Sequence, residues 1–394
     1  MSFWLEDYLG QALEEIAQKG LSRSLKSLDG IPGPTAFWHG QEIVLLSSNS
    51  YLGLHAHSHV IKAAQEALAH YGTGTGASRL ISGNLALHEE LERKLARFKG
   101  YPAAILFSTG YMANLGLITS LAQGPQDLII SDQLNHASII DACRLSSAAR
   151  AIYRHKDLEH LKQILSQSQQ YARHWIITEG VFSMDGDLAP LPGICKLAEE
   201  YGALVLIDDA HGFGVLGKEG RGTVEHFGLE DKIPLQIGTL SKTLGNLGGY
   251  VVGTERLVDY LRHKARSFIY STAPPPSILA GSLAALALIE SQPQLRQQLW
   301  ARVNYFRQAL LELGFDLMDS QGHIIPILVG ELEKTSAFAQ GLLEQGVYTP
   351  AIRPPTVPEG KCRLRISLMA THTSAQLERA LLALKNVGQC LRII

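Results

Sequence analysis

Between about residues 100 and 250 the chain alternates short apolar runs with longer amphipathic stretches, and small or polar residues stand at each changeover. The runs Ala103–Phe107, Leu128–Ile130, Trp175–Thr178, Ala203–Ile207 and Leu235–Ile237 are too short for helices and lack the polar alternation of a half-wet strand, so they read as strands covered on both faces. Helical spacing follows from Met112, Ser138 and Pro192. Such βαβ repetition predicts an α/β fold with a mostly parallel central sheet, helices on both faces and a site at the strands' carboxyl ends. Upstream, Leu5, Tyr8, Leu9, Leu13 and Ile16 recur at helical spacing over residues 4–20. Glu42–Leu46 reads as a strand, and Leu87–Phe98 as a helix capped by Asn84. After Ala273-Pro274-Pro275-Pro276 the pattern changes to helices over Ser277–Glu290 and Leu295–Leu313, then to a short β-α-β-α ending. Three parts are expected: an N-terminal segment over 1–50, a large domain over 51–285 and a smaller α+β domain over 286–394.

Chemistry-bearing residues gather where the apolar runs end. Leu235-Gln236-Ile237 leads into Gly238-Thr239-Leu240-Ser241-Lys242-Thr243-Leu244-Gly245-Asn246-Leu247-Gly248-Gly249, a lysine set among hydroxyls and glycines. A lysine that condenses with an aldehyde needs close backbone approach and hydroxyls for a phosphate. From these residues alone, a surface lysine in a glycine-rich turn is an equal reading. Val205-Leu206-Ile207-Asp208-Asp209-Ala210-His211 decides between them, because pyridoxal phosphate (PLP) requires a carboxylate against its pyridinium nitrogen. Asp208 ends a buried run and His211 stands three positions on. Ser108-Thr109-Gly110-Tyr111 leaves a strand and enters a helix, where backbone N–H groups and the helix dipole receive a phosphate or simply cap the helix. His136 occupies a similar junction in Asp132-Gln133-Leu134-Asn135-His136, where an isolated histidine is ordinarily structural.

These motifs, with Asn49-Ser50-Tyr51-Leu52-Gly53-Leu54 and Glu179-Gly180-Val181-Phe182-Ser183-Met184-Asp185-Gly186-Asp187, resemble the α-oxoamine synthase family of fold-type-I PLP enzymes over almost the whole chain. The resemblance implies an acyltransferase and a set of roles. Lys242, His136 and Asp208 are the expected catalytic residues. Gly110, Tyr111, His136, Glu179, Ser183, Asp208, His211, Thr239, Lys242, Ser271 and Thr272 are the expected cofactor contacts, with Ser271 and Thr272 reaching the partner subunit's phosphate. Arg23, Asn49, His136, Thr356 and Arg365 are expected to hold substrates, Arg365 taking the amino-acid carboxylate. Ala351-Ile352-Arg353-Pro354-Pro355-Thr356-Val357-Pro358-Glu359-Gly360 favours the biotin-pathway branch. That branch condenses L-alanine with pimeloyl-CoA or a pimeloyl acyl carrier protein (pimeloyl-ACP), and it works as a homodimer. Ser50 stands where the family has Asp, and Ala77 replaces a glycine in the loop Tyr71–Leu80, which fits neither nucleotide phosphate-loop pattern.

Composition narrows the partners. With 46% hydrophobic and 18% charged residues and a formal charge of -2, the 394-residue chain gives no reason to expect nucleic acid or an acidic membrane surface. No apolar run reaches membrane-spanning length, and Ser2-Phe3-Trp4-Leu5-Glu6-Asp7 carries acids where a signal peptide carries bases, so a cytoplasmic protein is expected. Cys143, Cys195, Cys362 and Cys390 form no CxxC pair and read as reduced, buried thiols. His55, His57 and His59 alternate without nearby acid or cysteine ligands, so solvated loop histidines are expected and no metal. Asp185 and Asp187 flank Gly186 and read as turn acids.

Overall fold

The computed structural model describes residues 4–394, so the part of the N-terminal reading that rests on Ser2 and Phe3 lies outside it. The chain divides into two compact units. One, formed by Asn49–Ser183 and Asp187–Leu299, holds seven strands: β1 (Ala103–Phe107), β2 (Asp127–Asp132), β3 (Ala149–Tyr153), β4 (Arg173–Glu179), β5 (Leu204–Asp208), β6 (Gln236–Thr239) and β7 (Gly249–Gly253). Their order across the sheet is β1-β7-β6-β5-β4-β2-β3. β7 runs antiparallel to both neighbours, and the other pairings are parallel.

The period-two geometry of a strand divides the sheet's side chains between two cores. Ile105, Ile129, Ile177, Leu206 and Ile237 face one, packed with Ala113, Leu117 and Ile139 of the helices Gly110–Leu121 and Ala137–Leu145. Leu128, Ile130, Ile176, Val205 and Ile207 face the other, against Leu161, Leu165, Leu191 and Ile194. Each fully buried aliphatic side chain stabilises the fold by about 1.5–3 kcal/mol. This explains why the runs carry no polar alternation. Two strands of this sheet are new relative to the sequence reading. In β3, at the sheet edge, Arg150 and Ile152 stay exposed, and β7 is a glycine-bounded run that merged with the lysine turn. The Asn84 cap is also corrected. The helix Ala86–Lys99 is capped at Leu85, whose N–H bonds His88 Nδ1 at 3.0 Å, while Asn84 joins Arg79 and Glu89.

The other unit takes the residues up to Ser48, Met184–Gly186 and Trp300–Ile394. The hairpin Thr35–Trp38/Gln41–Leu45 pairs in parallel with Val347–Tyr348, so the N-terminal segment is built into the same unit as the C-terminal one. The chain leaves the first unit within the helix Pro293–Glu312 rather than at residue 286. A second sheet sets Cys362–Ser367 between Ile324–Gly330 and Ala351–Ile352. Cys143, Cys195 and Cys362 are buried, whereas Cys390 is exposed at the end of the helix Ser374–Cys390.

Candidate active site

The parallel strands bring their polar carboxyl ends together, as their register requires. Glu179 of β4 is paired with Asp208 of β5, and Asp208 with Ile237 of β6. Asp208 is buried and accepts hydrogen bonds from Asn114 Nδ2 at 2.7 Å and from the Ala210 N–H at 3.0 Å. Each of its carboxylate oxygens thus has one N–H donor. Glu179 is set differently. Burial, reinforced by the Asp208 charge beside it and opposed by Lys242, holds its carboxyl well above the usual range.

His211 is also buried, and its Nδ1 lies 2.5 Å from the Tyr51 hydroxyl, which donates to Asn49 Oδ1 at 3.3 Å. Lys242 is partly buried in a turn closed by Leu240 N–H to Gly248 O at 3.0 Å and Gly245 N–H to Lys242 O at 2.9 Å. Gly245 is held there twice over: its φ is 69°, and a Cβ would lie 2.5 Å from the His55 nitrogen.

A phosphate-sized cradle adjoins the lysine turn. Thr109 caps the helix Gly110–Leu121, its hydroxyl accepting from the Met112 N–H at 3.0 Å. A Cβ on Gly110 would lie 3.3 Å from Thr239, and one on Gly249 would lie 2.4 Å from the Thr109 carbonyl oxygen. The helix N-terminus therefore abuts the end of β6 with no room for side chains. Thr239 Oγ1 bonds Ser241 Oγ at 2.7 Å and donates to Gly248 O at 2.8 Å. Tyr111 is exposed and hydrogen-bonded to Asp141. Thr272 bridges Ser78, and its carbonyl accepts from Ser108 Oγ at 2.9 Å, while Ser271 donates to Met112 Sδ at 3.8 Å. The helix N-terminus, the hydroxyls, the buried carboxylate and the amine together fit PLP.

His136 caps the helix Ala137–Leu145, its Nδ1 accepting from the Ser138 N–H at 3.2 Å. The ring is exposed, yet desolvation by its surroundings lowers its pKa, with Lys242 adding to the effect and Asp208 and Asp141 opposing it. Ser183 lies half-buried in the turn after Phe182. Asp187 is more than a turn acid: it is buried and bonds His155 Nε2 at 3.0 Å and Lys156 Nζ at 2.6 Å.

In the other unit, Arg23 and Thr356 line one cavity of about 660 Å³ with Tyr348, Thr349 and Ile352. Arg365 is buried on the strand Cys362–Ser367 and donates to Ser367 Oγ at 3.1 Å. Asp185, the other expected turn acid, pairs with Arg363 at 2.7 Å. Tyr51, Asn114 and Ser138 escaped the sequence reading. Their signal, a polar residue inside an apolar helix or run, is also that of a satisfied core residue.

The sheet order, the lysine turn and the carboxylate define a PLP-dependent enzyme of the aminotransferase kind. The chain belongs to the aminotransferase class I and II family, whose model matches residues 41–384, and within it to the 8-amino-7-oxononanoate synthases. It is 50% identical over 384 residues to the 8-amino-7-oxononanoate synthase of Geobacter sulfurreducens, covering 97% of this chain and 98% of that one. With the Thermoanaerobacter pseudethanolicus protein of the same name the identity is 46% over 389 residues, 98% of each chain. Among solved structures, the Sphingomonas wittichii serine palmitoyltransferase superposes with a TM-score of 0.93 at 34% identity over 98% of both chains. The 8-amino-7-oxononanoate synthase of Francisella tularensis superposes at 0.76 with 29% identity, over 89% of this chain and 99% of that one.

Proposed function

We propose that the enzyme condenses L-alanine with a pimeloyl thioester, on CoA or acyl carrier protein, to give 8-amino-7-oxononanoate, carbon dioxide and free thiol for biotin synthesis. The observation that carries this reading is the near full-length identity of 42–50% to proteins of that name. Serine palmitoyltransferases share the fold at lower identity, 34% for the Sphingomonas wittichii enzyme.

PLP supplies the electron sink that makes an amino-acid α-carbon acidic. Lys242 would hold it through Nζ, and Asp208 would face its ring nitrogen. The N-terminus of the helix Gly110–Leu121, with Thr239, would take its phosphate, while His136, Ser183 and His211 would line the ring and Glu179 and Tyr111 support it. With the amino acid bound, Lys242 Nζ would be the base that takes the α-proton of alanine. Arg365 clamps the alanine carboxylate through its planar fork. The α-carbon attacks the thioester carbonyl, and the thiol leaves. His136 Nε2 donates to the new ketone oxygen while carbon dioxide departs, and Lys242 Nζ returns the proton it took to the α-carbon. Arg23 and Thr356, with Asn49, are assigned to the acyl group.

The protein is assigned to the cytoplasm as a homodimer in which Ser271 and Thr272 complete the partner's phosphate site. A second copy would cover the adjoining apolar side chains Leu80 and Ile81, 52% and 80% exposed beside the Arg79–Glu92 pair. Incubating PLP-loaded protein with L-alanine and pimeloyl-CoA, or with pimeloyl-ACP, should yield 8-amino-7-oxononanoate by mass spectrometry. No product with either carrier would overturn the assignment.

A further inference from the structure

The buried asparagine that donates to Asp208 also connects the two ends of the site. Asn114 lies inside the helix Gly110–Leu121, 1% exposed. Its amide nitrogen donates one hydrogen to Asp208 Oδ2 at 2.7 Å and the other to Ser138 Oγ at 3.0 Å, while its Oδ1 has no hydrogen-bond partner among the described residues. An ionised carboxylate only accepts, so it dictates which end of the amide faces it. With the NH2 end so fixed, Ser138 Oγ accepts from Asn114, and its own proton points to the remaining neighbour. That neighbour is His136 Nδ1, 2.7 Å away, which also receives the Ser138 backbone N–H at 3.2 Å. Two donors converge on Nδ1, which leaves the ring proton on Nε2.

We propose that Asn114 and Ser138 are positioning residues that transmit the orientation set by the Asp208 carboxylate to His136, fixing the imidazole as its Nε2–H tautomer. The consequence is chemical. Nε2 is then a hydrogen-bond donor toward the substrate side, the role that condensation and loss of carbon dioxide ask of it, and Nδ1 is withdrawn from proton exchange. The depressed basicity of His136 agrees with a ring kept neutral. A buried Asn with one oxygen unsatisfied is a cost that a leucine of similar shape would avoid, so packing alone does not explain it.

The inference rests on reading His136 as the substrate-facing group, but its test does not need turnover. Protein labelled with 15N-histidine and freed of cofactor reports by NMR which ring nitrogen of His136 carries the proton. The parent should show Nε2–H with a bare Nδ1. Asn114→Leu, which keeps the shape and removes both donors, should give a mixture of tautomers. In the loaded enzyme it should lower kcat roughly fivefold to tenfold with KM for alanine little changed. Should Asn114→Leu not fold, Ser138→Ala carries the same expectation, because it removes the shorter of the two donors to Nδ1. An unchanged Nε2–H tautomer in whichever variant folds would overturn the relay, whatever the acyl-transfer assay returns.

Discussion

His155 is the clearest handle on how charge is built into this fold. Its Nδ1 lies 2.9 Å from Asp132 Oδ1 and its Nε2 3.0 Å from Asp187 Oδ2, and its side chain is 21% exposed. Burial alone would lower its pKa, but the hydrogen bonds to the two carboxylates outweigh that, and the ring is raised to about 9. An unfolded histidine titrates near 6.5, so the difference of about 2.5 units corresponds to roughly 3 kcal/mol. The sign follows from proton binding. The folded protein holds the proton more tightly, so the stabilisation is fully present below about pH 6.5 and is lost as pH rises through about 9. For Asp187 the cost of burial is outweighed by hydrogen bonds and charge from His155 and Lys156, so its carboxyl is held below its usual pKa and stays ionised across that window. Urea unfolding of parent and His155→Gln, at several pH values from about 6 to about 9.5, isolates the effect as the parent-minus-variant difference. That difference should shrink by roughly 3 kcal/mol across the range. A constant difference would show that His155 is neutral in the folded protein and that the argument is wrong.

Three further outcomes test other parts of the account. Lys242→Ala should still bind PLP yet exchange the α-proton of alanine in deuterated water at least about a hundredfold more slowly, and parental exchange would remove Lys242 from the role of base. Lys99 and Asp209 form a buried pair at 3.0 Å, with side chains 1% and 0% exposed, and Asp209 also takes the Thr223 hydroxyl at 2.7 Å. Lys99→Met strands that carboxylate, so about 3–5 kcal/mol of stability should disappear in urea titrations, and a loss under 1 kcal/mol would contradict the burial argument. Sedimentation should show a dimer, and a fully active monomer would refute the shared phosphate site.

The parallel strands were legible because a buried strand has to be continuously apolar, and their polar ends marked Asp208, Lys242 and the Ser108–Tyr111 junction in advance. β3 and β7 were not, since an edge strand tolerates Arg150 and a glycine-bounded strand looks like the turn it follows. The assignment of charge was also hidden. Asp187 reads as a turn acid until folding brings His155 and Lys156 to it across some thirty residues of chain. Glu179 and Asp208 look alike in sequence, and only the register that pairs them, with Asn114 donating to Asp208, sets the two carboxyls in different surroundings. Arg23 and Thr356 were named by resemblance, and the cavity they share is a property of the folded unit alone.

The central claim is a choice of substrates on a shared chemistry, and a single competition assay addresses it. Purified, PLP-loaded protein is offered L-alanine, glycine and L-serine, each against pimeloyl, acetyl, succinyl and palmitoyl thioesters, with thiol release followed as kcat/KM. The account predicts alanine with the pimeloyl thioester as the preferred pair, and 8-amino-7-oxononanoate as its product. Preference for serine with palmitoyl-CoA, or for glycine with acetyl-CoA, would contradict it.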